Sequence, residues 1–274
     1  MKLIFLIIAS NDSVHLQDEL TQRRTWAKDY LSECIWLRGG ERIDFDENER
    51  TLRVPIEETY KNILPKTLSG IKWCIENITF DFLIRANVST YFEAARIRQL
   101  LEKYSPNEEL FGGYLDFINN SAKASYHKMF VNGGAIFLSF KTAEKLRQMD
   151  SLEWLDKPDD YAISQYLFRQ MVKPTQIPRG NISNTGILTK KFYYRAKSSS
   201  NPIMASLRMQ SIFDLSKESK PMMRIGLYGK FYWSELKFFR KNFGTFRDYC
   251  LNVYSFLSAT FRAKIILGSH DFEE

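Results

Sequence analysis

Residues 80–92 read FDFLIRANVSTYF. Phe80 to Ile84, apolar but for Asp81, has the length and residue types of a buried strand. It stops at a polar turn, Asn87, Val88 and Ser89. The next stretch, EAARIRQLLEKY (93–104), repeats its apolar positions at helical spacing. A strand that ends in a polar turn before a helix is where open α/β sheets place their ligands and chemistry. The reading of the whole chain turns on what surrounds this turn.

Working outward, strand-like and helix-like runs alternate. KLIFLIIA (2–9) opens as a buried strand, and LQDELTQRRTWAKDYL (16–31) follows as a helix with apolar positions Leu16, Leu20 and Ala27. CIWLRG (34–39) is a second strand. ETYKNILPKTLSGIKWCIENI (58–78) has the 3.6-residue period of a long helix, with Pro65 expected to kink or interrupt it. Beyond residue 104, LFGGYLDFI (110–118) and MFVNGGAIFLSF (129–140) are two further strands, and their glycines mark places where backbone comes close to something. KTAEKLRQM and DDYAISQYLFRQMV are helices. This alternation predicts an α/β fold built on an open, mostly parallel sheet. After Pro178 the pattern weakens, and a soft boundary falls near residues 200–220.

The chain has 274 residues, enough for one large α/β domain or one domain with an appendage. The three cysteines, Cys34, Cys74 and Cys250, lie far apart with no CxxC spacing. They are expected to be buried thiols in a reducing compartment rather than a disulfide or metal framework. The apolar run Leu3 to Ala9 is too short to span a membrane and lacks a cleavage-like pattern, so it is expected to be a sheet strand. Asn77, Asn87, Asn119 and Asn181 begin sequons that match by chance in a cytoplasmic protein. Charge is uneven: residues 191–270 hold 14 Lys+Arg against 4 Asp+Glu, whereas residues 1–190 hold 25 of each. The basic character therefore belongs to the C-terminal third.

Four pieces taken in order resemble the beta-1,3-glycosyltransferase and fringe family. They are RRTW (23–26) after a first strand ending in Ser10, and ETYKNILPKTLSGIKW (58–73) running on into FLIRANVSTYF. FVNGGAIFLS (130–139) and PDDYAISQYL (158–167) complete the set. The resemblance spans roughly residues 1–180. It implies a GT-A type glycosyltransferase, with a GT-A-like (Rossmann-like) sheet flanked by helices and a nucleotide-sugar donor. Inverting transfer needs a carboxylate to take the acceptor proton and positive charge on the departing diphosphate. By position the resemblance gives the base to the pair Asp159 and Asp160, with Asp160 favoured. From the residues alone the pair can equally cap the helix that follows. Ser10 and Arg24 are carried over as donor-binding residues, and Gly133 and Gly134 as the place where backbone approaches sugar or acceptor.

In the family, the turn at Asn87, Val88 and Ser89 carries aspartates that hold a divalent cation. Neutral amide and hydroxyl groups are poor partners for a hard dication. No metal site and no cofactor are expected here, with Asn87 left to bind ribose and Ser89 a phosphate. None of the three histidines, His15, His127 and His270, lies where the family places a late metal ligand. In their place KKFYYRAKSSS (190–200) offers Arg195 and Lys197, two apart and so on one side of an extended segment. These, with Arg85, are candidates to bind the diphosphate directly.

Residues 228–264 interleave aromatic and basic side chains. An anionic membrane surface, packing against the rest of the protein, and nucleic acid are the competing partners, with nucleic acid the least favoured. The expected organisation is a catalytic domain over 1–205 and a helical, basic, aromatic-rich extension over 206–274. The expected activity is transfer of a sugar to a hydroxyl of a glycan or lipid-linked glycan, without a metal and with inversion, at the inner face of a membrane. Two alternatives stay open: a catalytically inactive relative that binds carbohydrate or nucleotide, and a basic membrane-associated adaptor.

Overall fold

The computed structural model describes residues 1–117, 129–154, 156–181, 191–196 and 204–217. Lys197, His127, His270, Cys250 and the basic aromatic stretch 228–264 lie outside the described residues. Among those described, no helix is long and apolar enough to cross a membrane.

Eleven strands and six α-helices follow one another along the described chain. They run β1 (Leu3–Ile8), α1 (Ser13–Arg24), β2 (Cys34–Gly39), β3 (Asp44–Asp46), β4 (Thr51–Val54), α2 (Ile63–Asn77), β5 (Phe82–Asn87), β6 (Thr90–Phe92) and α3 (Ala94–Leu101). Then come β7 (Phe111–Phe117), β8 (Met129–Ser139), α4 (Phe140–Leu146), α5 (Asp159–Arg169), β9 (Pro174–Gln176), β10 (Arg179–Asn181), β11 (Tyr193–Arg195) and α6 (Met204–Lys217). Eight strands form one sheet in the order β3-β4-β2-β1-β5-β8-β7-β9, and three form a small sheet, β10-β11-β6.

The α/β class is as the sequence predicts. The large sheet is parallel through β4, β2, β1 and β5 and again between β7 and β9. It turns antiparallel where β8 joins β5 and β7, and at the edge strand β3. All six residues of β1 are buried because both faces of the sheet are covered. On one face Ile4, Leu6 and Ile8 share a core with residues of α2, α4 and α5. On the other, Phe5 and Ile7 meet Trp26, Phe92 and Tyr193. Rings of Phe5, Trp26 and Phe92 lie 4.9–5.1 Å apart, in tilted or edge-on pairs.

Two helices depart from expectation. Pro65 lies in the first turn of α2, preceded by a 3-10 turn at Tyr60–Asn62, so it begins the helix instead of kinking it. A proline there gives up no intrahelical bond. Helix α1 stops at Arg24, and Trp26–Glu33 continues as 3-10 turns. Leu20, expected on its apolar face, is 45% exposed, while Asp18, Glu19, Thr21 and Gln22 are buried. That polar buried face leads to the site.

Candidate active site

The C-terminal ends of β1, β2 and β5 lie at one edge of the sheet. The register of β5 with β8 pairs Ala86 with Ala135, which brings Gly133 and Gly134 beside Asn87. Here β7 and β8 lose their regular pairing, with a shift between Gly113 and Leu115. Gly113 has φ +154°, and a Cβ on it would lie 2.5 Å from both the Ala135 carbonyl oxygen and Val131 Cγ1. The irregularity re-aims the chain at the glycine pair, a usual service of a bulge. A Cβ on Gly133 would point at Arg85 and Asp160, whereas one on Gly134 would point at Asn132 and Tyr193.

Arg85 is the floor of this place. It is 1% exposed. Its Nη1 donates to the Gly133 carbonyl at 2.5 Å and to Asn87 Oδ1 at 2.9 Å, and its Nη2 to Asp159 Oδ2 at 2.5 Å. Asp159 and Asp160 open α5, where the helix N-terminus favours negative charge. Asp160 Oδ2 accepts the Gly133 N–H at 2.8 Å, and Oδ1 accepts the Tyr161 N–H at 2.8 Å. Burial, and then the neighbouring Asp159 charge, hold the Asp160 carboxyl above its ordinary value, against the pull of the Gly133 N–H and of Arg85. A carboxylate raised in this way is a better proton acceptor than an ordinary aspartate. Arg85, expected to bind the donor, is instead spent on Asp159, Asn87 and Gly133, so it positions these groups from below.

The remaining expected residues fall around this centre. Ser10 follows β1, its Oγ 2.5 Å from His15 Nδ1. Asn87 closes β5, and Ser89 is buried in the turn after it. Arg195 is exposed on β11, opposite Thr90 of β6, and the Ala196 N–H donates to the Ser89 carbonyl at 2.9 Å. Arg195 and Ala196 of the basic segment therefore lie against the Asn87–Ser89 turn. Arg24 is exposed at the end of α1. Two residues earlier, Gln22 is buried and donates to the Thr90 carbonyl at 2.9 Å and the Asn87 carbonyl at 3.3 Å. Positions two apart on a helix face opposite ways, so Arg24 points away from the turn that Gln22 holds.

Other residues of the site gave little signal in the sequence. Glu58 and Lys66 tie the ends of β1 and β2: Lys66 Nζ donates to the Ala9 carbonyl at 2.8 Å and to Glu58 Oε2 at 2.7 Å. Glu58 Oε1 accepts the Gly39 N–H at 2.5 Å. Burial holds the Lys66 ammonium below its ordinary value, and the Glu58 contact opposes this. Glu19 joins Arg23 at 2.8 Å and Arg38 at 2.5 Å, and Arg38 donates to Asn11 Oδ1 at 3.0 Å. On the far side of the glycine pair, Asn132 Oδ1 accepts from Gly134 N–H at 3.0 Å and from Arg179 Nη1 at 2.8 Å.

The turn does not fit a divalent cation. Asn87 Oδ1 already accepts from a guanidinium, which would repel a dication beside it. Val88 and Ser89 are 3% and 6% exposed. Among the described residues no group of three or more His, Cys, Asp or Glu is arranged to hold a metal ion.

No protein-family model matches the chain, and no curated protein matches it in sequence. Solved structures similar to it include a glycosyltransferase involved in the glycosylation of the major capsid of PBCV-1, with a TM-score of 0.48 at 8% identity over 76% of this chain and 98% of that one. The galactosyltransferase LgtC in complex with donor and acceptor sugar analogs has a TM-score of 0.47 at 12% identity, covering 81% of this chain and 99% of that one. A mannosyltransferase from Pyrobaculum calidifontis, in complex with GDP-Man and Mn2+, has a TM-score of 0.42 at 9% identity over 99% of this chain and 88% of that one. Likenesses of this size carry no functional information, so the chemistry is read from this chain's own side chains.

Proposed function

We propose that the chain is a GT-A-like glycosyltransferase that moves a sugar from a nucleotide-sugar donor to a hydroxyl of a glycan or lipid-linked glycan, with inversion and without a metal. The observation that carries this reading is Asp160. It is a carboxylate with a raised proton affinity, fixed on the Gly133 N–H at 2.8 Å at the C-terminal edge of a sheet. In the proposed step the acceptor oxygen attacks the anomeric carbon as its proton passes to Asp160. The bond from that carbon to the phosphate oxygen breaks, and its electron pair leaves on the nucleoside diphosphate. Asp159 is held by Arg85, and its charge adds to burial in keeping Asp160 basic. With a guanidinium against Asn87, charge on the leaving group has to be met by cationic side chains.

The basic residues 228–264 support an anionic membrane surface as the place where a lipid-linked acceptor is met. The test is a screen of UDP-, GDP-, CMP- and dTDP-sugars with the full chain, each with EDTA and with Mn²⁺. Release of nucleotide is followed with mixed glycan and lipid-linked acceptors. Turnover in EDTA that is lost in Asp160→Asn supports the reading. Turnover that needs Mn²⁺ removes its metal-free part. Nucleotide binding without turnover leaves a binding protein.

A further inference from the structure

The small sheet carries two arginines that the proton transfer does not use. Arg179 lies directly opposite Tyr193 on parallel strands, and Tyr193 and Arg195 lie opposite Phe92 and Thr90. With a period of two, Arg179, Tyr193, Arg195, Phe92 and Thr90 all project from one face. That face looks onto the glycine pair. Thr90 Oγ1 donates to the Gly134 carbonyl at 2.6 Å. Arg179 Nη1 donates to Asn132 Oδ1 at 2.8 Å, the same oxygen that accepts the Gly134 N–H. The neighbouring Gly133 gives its N–H to Asp160. Arg179 is thereby tied to the glycine pair through Asn132, on the side opposite Asp160, and Arg195 projects from the same sheet face.

Their surroundings suit an anion. The Arg179 guanidinium stacks 3.9 Å over the Tyr114 ring, which fixes its plane. Tyr114 is itself tied in place, its N–H donating to Tyr193 Oη at 2.9 Å. Arg195 is exposed, and the bond from Ala196 N–H to the Ser89 carbonyl pins its end of β11 to the turn after β5. Among the described residues neither arginine is in an ion pair. Burial, with the charge of Arg195 adding to it, holds Arg179 below its ordinary proton affinity. Arg179 is partly buried and Arg195 exposed, and their like charges act on each other, offset in part at Arg179 by the Asp116 carboxylate, so the pair forms a focus for negative charge.

We propose that Arg179 and Arg195 form a pyrophosphate-binding site that holds the donor's diphosphate and stabilises it as it leaves. This rests on the transferase reading for its role, though not for its existence. Arg179 stands in the short run PRGN (178–181), where nothing in the sequence links it to the turn at residue 87.

The experiment is titration calorimetry of the full chain in EDTA with inorganic pyrophosphate, then with a nucleoside diphosphate panel and a short prenyl diphosphate. Loss of a charge-assisted contact should weaken pyrophosphate binding about tenfold or more in Arg195→Gln, and likewise in Arg179→Gln. Arg195 is exposed, so its variant reports on binding even where Arg179→Gln fails to fold, and Arg179→Lys should recover part of the loss. Asp160→Asn should keep the binding. No binding by the parent chain, or equal affinity in Arg195→Gln and the parent, overturns the proposal. Nucleoside diphosphates that bind tighter than pyrophosphate and weaken in the same variants place the site on the donor side. A preference for the prenyl diphosphate overturns that assignment in favour of the acceptor. Arginine-dependent binding with no turnover of any nucleotide sugar leaves the anion site standing and removes the transferase reading.

Discussion

Replacing Arg85 with Met tests the centre of the site most directly. The side chain is about the right length for the space, and it removes the charge and every hydrogen bond at once. The parent pair is well buried, with side-chain exposures of 2% for Arg85 and 11% for Asp159 at a separation of 2.5 Å. Arg85→Met leaves Asp159 as a carboxylate with no counter-charge and leaves Asn87 Oδ1 and the Gly133 carbonyl without their donor. Breaking a buried pair by removing one partner costs about 3–5 kcal/mol. At about 2–4 °C per kcal/mol for a chain of this size, the melting temperature should fall by roughly 6–20 °C. Differential scanning calorimetry at pH 7 reads this. The second arm is the double variant Arg85→Met/Asp159→Asn, which removes the orphaned charge and should recover a large part of the loss, as residues in direct contact are non-additive. A fall of under 2 °C in the single variant would refute the buried-pair argument. Losses that simply add in the double variant would show that Arg85 acts through packing alone.

The other predictions are narrower. Asp160→Asn should lower kcat by about 10²–10⁴-fold with little change in nucleotide affinity, measured by turnover and calorimetry. Because the folded chain holds the Asp160 carboxyl above its ordinary value, the acid limb of kcat/KM should lie above that of an ordinary aspartate. The sign for stability follows: the raised value favours the fold below the unfolded carboxyl's pKa, and that contribution is lost as pH rises through the folded value. Asp160→Asn should therefore gain stability relative to the parent between pH 3 and pH 7, as thermal melts across that range would show. Gly113→Ala should destabilise by about 1–3 kcal/mol in urea unfolding, since φ is +154° and the new Cβ meets Ala135 and Val131 at 2.5 Å. Changing Lys237, Arg240 and Lys241 to Glu in the full chain should abolish co-sedimentation with phosphatidylserine vesicles and leave nucleotide binding intact.

What the sequence showed and what it hid divide along a physical line. Strand β1 was legible because burial on both faces demands an unbroken apolar run, and LIFLII is one. The start of α5 was legible from Pro158, Asp159 and Asp160, a turn residue followed by first-turn acids. Helix α1 was misjudged on its faces because its burial is set by hydrogen bonds to distant backbone. Gln22 reaches Asn87 and Thr90, residues more than sixty positions away, and takes the Trp36 indole N–H at 3.2 Å on its side-chain oxygen. Periodicity sees apolar faces and is blind to such partners. A mean pattern that buries Asp18 and Glu19 is itself the signal, although it is readable only once the fold is known. Arg85 was noticed as a cation near the turn, but one position in β5 decides whether it faces ligand or the α5 acids, and a strand's alternation says nothing about which helix covers each face. Arg179 was missed because proximity to Gly134 is created by the pairing of β10 with β11, a contact between short strands with little sequence signature of their own.

The neutral turn and the buried arginine make one electrostatic arrangement. An aspartate at position 87 would stand beside Asp159 and Asp160, gathering three carboxylates around Arg85. Such a cluster is stable with a dication to bridge it; without one, like charges at this range drive protonation of some members. With Asn87 in place, Asp159 is the carboxylate paired with Arg85, and Asn87 accepts a hydrogen bond in place of competing for the charge. Asp160 is then left as the carboxylate with a raised proton affinity, its oxygens accepting from the Gly133 and Tyr161 N–H groups. A neutral residue at position 87 thus keeps Asp160 distinct from the carboxylate paired with Arg85. On the proposed reading, positive charge for the leaving group then comes from across the glycine pair, where Arg179 is tied to Asn132 and Arg195 lies on the same sheet face.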